Sequence, residues 1–329
     1  MILYSLIQKI GRCTMNITVN QPILWGDKRY YALNYYLRNK YKQKVFKISL
    51  DAGFTCPNRD GSLAKGGCYF CSASGSGDFA GKRSHTIDEQ FANIKQSMQR
   101  KWAKGKYIAY FQAFTNTYAP VEVLKALYEE AIKLPDVVGL AIATRPDCLD
   151  KDTIALLAKL NQKTNLWVEL GLQTVHEKTS KAMNMHYNYA DFSAALLGLQ
   201  AQNIKTVTHI ILGLPGESIE DMSFTANTIA DLPIQGLKIH LLHLMLGTPL
   251  ANLYANSPFP FLSKEVYVNL VADILEIISP EIVIHRLTGD SPRDLLIGPQ
   301  WSLNKWEVLN SIEDCLVARD TWQGKYYKV

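Results

Sequence analysis

Three of the six cysteines in this 329-residue chain fall in one short stretch, CPNRDGSLAKGGCYFC, running from Cys56 to Cys71. Cys13, Cys148 and Cys315 stand singly, so Cys56, Cys68 and Cys71 read as metal ligands in a reducing compartment rather than as a disulfide framework. Thiolates suit zinc and iron–sulfur clusters alike. Structural zinc needs four ligands, and His85 is available as the fourth. A cluster held by three thiolates would leave one iron open. Gly61, Gly66 and Gly67 let the backbone bend around a bulky inorganic core, and Phe70, just before Cys71, can pack a ring against a flat ligand. Spacing alone leaves both readings open.

The elements that must carry this loop follow from periodicity. Strands are expected at Lys44–Leu50, Tyr107–Phe111, Val137–Ala143, Leu166–Leu170, Thr206–Leu212, Leu237–Leu244 and Ile282–Leu287. Helices are expected at Ile87–Ala103, Val121–Lys133, Lys151–Leu160, Ser218–Asp231, Lys264–Ile277 and Lys305–Arg319, with further helical segments before Gln202. Strand–helix alternation of this kind makes parallel strands with right-handed crossovers, and so many units suggest a barrel or partial barrel. Sites in such folds lie at the carboxyl ends of the strands, and the cysteine loop follows the first strand. No low-complexity linker or fixed-period repeat is present. The expected organisation is a basic, aromatic segment over residues 1–43, a barrel over 44–290 and a helical extension over 291–329.

Other strand ends offer further candidates. Thr115 and Asn116 follow the second strand, and Thr144, Arg145 and Asp147 follow the third. Arg145 could grip a carboxylate or phosphate through a bidentate contact, or pair with Asp147 to shape its own loop. Cys148 reads as a small buried residue. Glu169, expected near the end of the fourth strand, is costly to bury unless bonded. Gly213, Pro215 and Gly216 form a turn after the fifth strand. Strand alternation puts His240 and His243 on opposite faces, a poor metal pair. His285, Arg286, Asp290, Arg293 and Asp294 could line a substrate mouth or pair among themselves.

The cysteine loop, together with WGDKRYYALNYYLR (Trp25–Arg38), HRLTGDSPRDLLIGPQWSLNKWEVLN (His285–Asn310) and DTWQGK (Asp320–Lys325), resembles the radical S-adenosylmethionine (SAM) superfamily. Within it, the chain is similar to the YtqA/YhcC-like bacterial subfamily, related to elongator-type and coproporphyrinogen-type enzymes. The spacing is wider than the superfamily's commonest Cys-x3-Cys-x2-Cys. The resemblance implies an α/β fold, a partial (β/α)6-type barrel with a C-terminal extension. It implies one [4Fe-4S] cluster on Cys56, Cys68 and Cys71, with SAM chelating the open iron and being cleaved to a 5′-deoxyadenosyl radical. It also implies SAM contacts from Phe70, from Thr115 and Asn116, from Glu169 and Gln173 to the ribose, and from the Gly213 turn to the adenine. The superfamily often has a Gly-Gly segment after its second strand, where this chain has Ala113 and Phe114. Thr-Arg-Pro-Asp, here Thr144–Asp147, resembles elongator-type relatives and makes Arg145 a catalytic candidate.

For the substrate, the resemblance implies tRNA, with remodelling of a wobble-uridine side chain from carboxymethylaminomethyl toward aminomethyl. Arg145 or Arg286 would grip its carboxylate, and a flavodoxin or ferredoxin would be the electron donor. The net charge of +5 permits a polyanionic partner. Trp25–Leu50 interleaves Lys28, Arg29, Arg38, Lys40, Lys42, Lys44 and Lys47 with Tyr30, Tyr31, Tyr35, Tyr36 and Tyr41, a composition that suits an RNA loop or an amphipathic helix with its tyrosines turned inward. Small-molecule or porphyrin-precursor chemistry on the same barrel is the rival enzyme reading, and a zinc-stabilised RNA-binding module the rival outside enzymes. With no second cysteine trio, an auxiliary cluster is not expected. The N-terminal apolar stretch is too short for a signal peptide, Met1 and Met15 both stand as possible starts, and no run approaches the roughly 18 apolar residues of a membrane span. A cytoplasmic enzyme without a membrane partner is expected.

Overall fold

The computed structural model describes residues 22–328, so Cys13, Met15 and the apolar N-terminal stretch lie outside the described residues. Seven parallel strands form one sheet in the order β1 (Val45–Leu50), β2 (Lys106–Phe111), β3 (Val137–Thr144), β4 (Asn165–Gln173), β5 (Lys205–Leu212), β6 (Gly236–Leu241) and β8 (Val283–Arg286). Two short strands, β7 (Leu244–Met245) and β9 (Leu296–Gly298), pair antiparallel outside it. The expected strands are all present, within a few residues of their predicted ends. The β7–β9 pair and the helix Pro249–Asn256 were not expected, because strands this short carry no readable alternation.

Contacts across the sheet show that it is curled. Lys47 on β1 reaches Glu169 on β4 at 2.6 Å, although three strand spacings on a flat sheet are about 14 Å. Tyr110 Oη on β2 accepts a hydrogen bond from Lys238 Nζ on β6 at 3.1 Å, across about 19 Å of flat sheet. The sheet is therefore a partial barrel, and residues at alternate strand positions converge in its lumen.

Helices cover the outer face. Those over Ile87–Gln99, Tyr189–Ala201 and Ile219–Ala230 each begin with a capping box, Thr86/Glu89, Asn188/Asp191 and Ser218/Asp221, which satisfies two orphan backbone donors at each start. Their apolar stripes pack on the sheet in two cores, one around Ile48, Phe91, Tyr107 and Leu140, the other around Phe192, Ile210, Ile239 and Tyr267.

Trp25–Arg38 and the C-terminal tail close the barrel from below and at its last edge. Helix α1 (Leu33–Tyr41) sets Leu37 under the lumen against Val45, Ile108, Trp167 and Val207. Tyr41 Oη donates to the Val138 carbonyl at 2.9 Å, and Lys40 Nζ to Asn165 at 2.7 Å, both at the amino ends of strands. Ile284 N–H on the edge strand bonds the Tyr31 carbonyl at 2.8 Å. Gln323, fully buried, accepts from Tyr31 N–H and donates to the Ser279 and Ile282 carbonyls. The Asp320–Lys325 stretch is thus a clasp that ties the tail to the barrel edge.

Candidate active site

The wide Cys56–Cys68 interval is absorbed by a loop that folds back on itself. Asp60 and Lys65 form an isolated antiparallel bridge, and Gly67 N–H returns to the Asn58 carbonyl at 2.7 Å. The excursion therefore closes beside its start, and Cys68 comes back to Cys56. Gly67 has φ of +81°, and a Cβ there would lie 2.7 Å from Arg59 Nε, so the residue must be glycine. The guanidinium crossing it donates to the Cys71, Ser72 and Ala73 carbonyls and clamps the second half of the loop. Asn58, fully buried, donates to the Asn184 carbonyl and lies 3.6 Å from Cys68 Sγ.

The three thiols share one cavity of about 600 Å³ at the carboxyl ends of the strands. Phe70, Thr115, Arg145, Glu169 and Gln173 also line it. The hydrogen bond from Cys71 pulls the Cys68 thiol down to about 7, helped by the positive charge of Arg145, while the same bond and burial hold Cys71 well above the usual thiol range. Arg145 forks onto Asp147 at 2.9 and 2.7 Å and lies over the Tyr187 ring, yet its Nη1 is buried without a partner. Cys148 sits behind it, its thiol pushed up to about 12 by burial.

This donor set fits an iron–sulfur cluster better than a zinc ion. His85 is outside the cavity and faces Asn93 at 3.4 Å. Three thiols beside a buried, unpaired guanidinium nitrogen suit a larger anionic core.

The other candidates divide. Thr115 lines the cavity, whereas Asn116 is fully buried behind it, its amide donating to the Ala143 carbonyl at 2.9 Å. Phe114, standing where relatives often have glycine, adopts φ of +59° and stacks against Arg59 and Arg83. Gly213 has φ of +86°, and its N–H meets Met222 Sδ at 3.0 Å, outside the cavity lining. Gln173 ends β4 at the cavity.

Glu169 is not near a strand end. The strand continues through Leu170, Gly171 and Leu172 to Gln173, which leaves Glu169 deep in the lumen. There it is fully buried among Lys47 at 2.6 Å, Lys238, His209 at 3.2 Å and the Trp167 indole N–H at 3.0 Å. Burial alone would raise its pKa, but Lys238 and Lys47 reverse this and hold it well below the usual carboxylate range. Nor do His240 and His243 diverge. Strand β6 stops at Leu241, so alternation does not reach His243, and both imidazoles line the cavity. In the sequence Lys47 reads only as part of the basic segment, and His209 and Lys238 are not singled out. Their signal was polar residues at alternate positions of otherwise apolar strands.

The basic, tyrosine-rich segment has a structural role. It lies under the barrel, at the end opposite the cysteines. Tyr31 stacks on Trp25 at 5.7 Å, Tyr41 bonds the floor, Arg29 pairs with Asp320, and Lys47 is inside the lumen. Tyr30 is buried and the other tyrosines are half-buried against one another and the barrel floor, while Arg38, Lys40 and Lys42 stay exposed.

Four lumen imidazoles make stability pH-dependent. Burial pushes His209 and His243 down to about 4, and His240 and His285 well below their ordinary value. Depressed folded values mean that the unfolded chain binds protons the folded chain refuses. Stability therefore falls as pH drops from about 6.5 toward 4, by about 1.4 kcal/mol per pH unit for each histidine. Urea titrations at pH 7, 5.5 and 4.5 should show this loss, and His240→Gln should flatten it. An unchanged slope in that variant would contradict the assignment.

Comparison with known proteins agrees with this geometry. Residues 56–229 match the radical SAM superfamily and residues 234–318 the Radical_SAM C-terminal domain. The chain is 54% identical over 311 residues to YtqA of Bacillus subtilis (strain 168), covering 94% of this chain and 97% of that one. It is 28% identical to the tRNA uridine(34) acetyltransferase of Dehalococcoides mccartyi, over 47% of this chain and 34% of that one. The solved structure of archaeal Methanocaldococcus infernus Elp3 superposes with a TM-score of 0.64 at 17% identity, covering 85% of this chain and 64% of that one, which supports the fold. These matches set aside the zinc-stabilised module. Among the described residues no helix is long and apolar enough to cross a membrane. With its thiol trio at the mouth of a partial barrel, the chain belongs to the radical SAM superfamily and is a radical SAM enzyme that binds a [4Fe-4S] cluster and SAM.

Proposed function

We propose that this enzyme modifies the carbon-5 side chain of a tRNA wobble uridine, converting carboxymethylaminomethyl to aminomethyl by oxidising and hydrolysing the C–N bond so that the two-carbon fragment leaves as glyoxylate, the two electrons being taken up as SAM goes to methionine and 5′-deoxyadenosine. The observation that supports this best is the cavity itself. It opens at the carboxyl ends of the strands, its lining includes Arg59, Arg145, Arg286 and Lys305, and Phe79 is exposed at its edge. A cationic mouth with an aromatic rim suits a polyanion that delivers one unstacked nucleoside into an enclosed site. The similarity to a protein named as a tRNA uridine(34) acetyltransferase points the same way.

When bound, the cluster and SAM supply one-electron cleavage of the sulfonium bond and so a hydrogen-abstracting radical. Cys56, Cys68 and Cys71 hold the cluster, and the Arg145 guanidinium offsets its negative charge. Phe70, Thr115 and Gln173 take SAM at the cavity wall, while Asn116 and the Gly213 turn hold the neighbouring backbone. A flavodoxin or ferredoxin is the reductant in this reading, and the cytoplasm the setting.

The test is nucleoside analysis of tRNA from cells with and without the gene. Cells lacking it should accumulate the carboxymethylaminomethyl nucleoside, and purified enzyme with SAM and reductant should convert that nucleoside in isolated tRNA. Identical nucleoside profiles would refute the reading and favour a small-molecule or porphyrin-precursor substrate.

A further inference from the structure

The wall of the cavity opposite the cysteine loop has unspent binding capacity. The cysteine loop follows β1 at one edge of the sheet, whereas His240, His243 and Arg286 come from β6, the segment after it, and β8 at the other edge. All three line the cavity. The Nε2 atoms of His240 and His243 are buried with no hydrogen-bond partner, an arrangement that native structures rarely tolerate without a ligand or water. Gly289 packs closely against the His243 ring, where a Cβ would come within 2.9 Å of Cε1, so the ring is held in place from behind.

Charge at this wall is unbalanced. Among the described residues, Lys47, Lys238, Arg286 and Lys305 pair with two carboxylates, Glu169 and Asp290. Glu169 is taken by the two lysines of the lumen, and Asp290 is shared between Lys305 at 2.6 Å and Arg286 at 3.4 Å. Arg286 is thus only loosely paired, and it is the register partner of Lys238. Burial keeps both imidazoles neutral, with the neighbouring cations adding to the effect for His240. A neutral imidazole can still donate one N–H to an anion.

We propose that Arg286, His240 and His243 form an anion subsite that takes a carboxylate on the substrate and so holds its reacting end in the lumen. A planar carboxylate matches the guanidinium fork, and neutral imidazole donors complete its hydrogen bonds. This assignment deepens the reading above and rests on it for the identity of the carboxylate's carrier. It moves the grip away from Arg145, which already forks onto Asp147.

The experiment measures binding to the anaerobic, cluster-loaded enzyme with SAM present. The probes are 5-carboxymethylaminomethyluridine, its methyl ester, and acetate. The free nucleoside should bind at least tenfold tighter than its ester. Arg286→Gln should weaken the acid about ten- to hundredfold and leave the ester unchanged. His243→Asn should do the same to a smaller degree, and Arg286→Lys should restore part of the loss. Retention of the cluster absorbance shows that each variant is folded, and the partly exposed Arg286 is a tolerant position. Equal binding of acid and ester, or equal weakening of both by Arg286→Gln, overturns the subsite even if tRNA is modified. Arg286-dependent acetate binding in an enzyme that leaves tRNA unchanged sustains the subsite and refutes the tRNA reading.

Discussion

Replacing any one of Cys56, Cys68 and Cys71 with alanine should abolish cluster binding and, with it, reductive cleavage of SAM to 5′-deoxyadenosine. All three thiols line one cavity, and His85, the other candidate ligand, lies outside it. Cys148→Ala and Cys315→Ala should keep full iron. Cys148 has a thiol held neutral by burial behind Arg145, and Cys315 lies on the helix Lys305–Ala318, facing Asn269. Asn58→Ala should have an intermediate effect, weakening cluster retention by about tenfold or more, as expected when a group bonded near a metal ligand is lost. Iron and labile-sulfide analysis of protein never exposed to oxygen decides the matter. Stoichiometric zinc without sulfide would falsify the assignment.

Glu169→Ala should destabilise the fold by about 3–5 kcal/mol, the cost of leaving buried charge without its partner. Glu169 is fully buried and holds Lys47 and Lys238, so its removal strands two cations in the lumen. Lys238→Met in the same background should recover part of the loss, since it removes one of the stranded charges, and the double-mutant cycle measures the coupling. The sign with pH follows from the depressed carboxyl. Its contribution is present above the ordinary glutamate value and is lost as pH falls toward the folded one. This expectation differs from a ribose contact. If Glu169 holds the lumen together, SAM affinity measured by calorimetry should fall in Gln173→Ala at the cavity edge and stay near wild type in Glu169→Gln. The opposite pattern would return Glu169 to SAM.

Much of this was legible along the chain. Each strand and helix carries its own period, and alternation of the two constrains the sheet to be parallel with its loops at one end. The cysteine trio, the glycines and Phe70 sit within one loop, where spacing is informative because sequence neighbours are also spatial neighbours.

What the sequence did not disclose depends on curvature. Lys47, Glu169 and Lys238 lie on three strands far apart in the chain, and only curling of the sheet brings them together. The same closure sets the tyrosines of α1 under the barrel, where composition left an RNA surface and an inward-turned amphipathic helix both open. His243 was assigned the wrong face because it lies two residues past the end of its strand, where period-two alternation no longer predicts direction. Local periodicity therefore determined the elements and the site's loop, whereas the cofactor class came from the family resemblance of the cysteine loop and the C-terminal motifs. The tertiary structure decided which charges share the lumen, because that depends on the distance between strands rather than on separation along the chain.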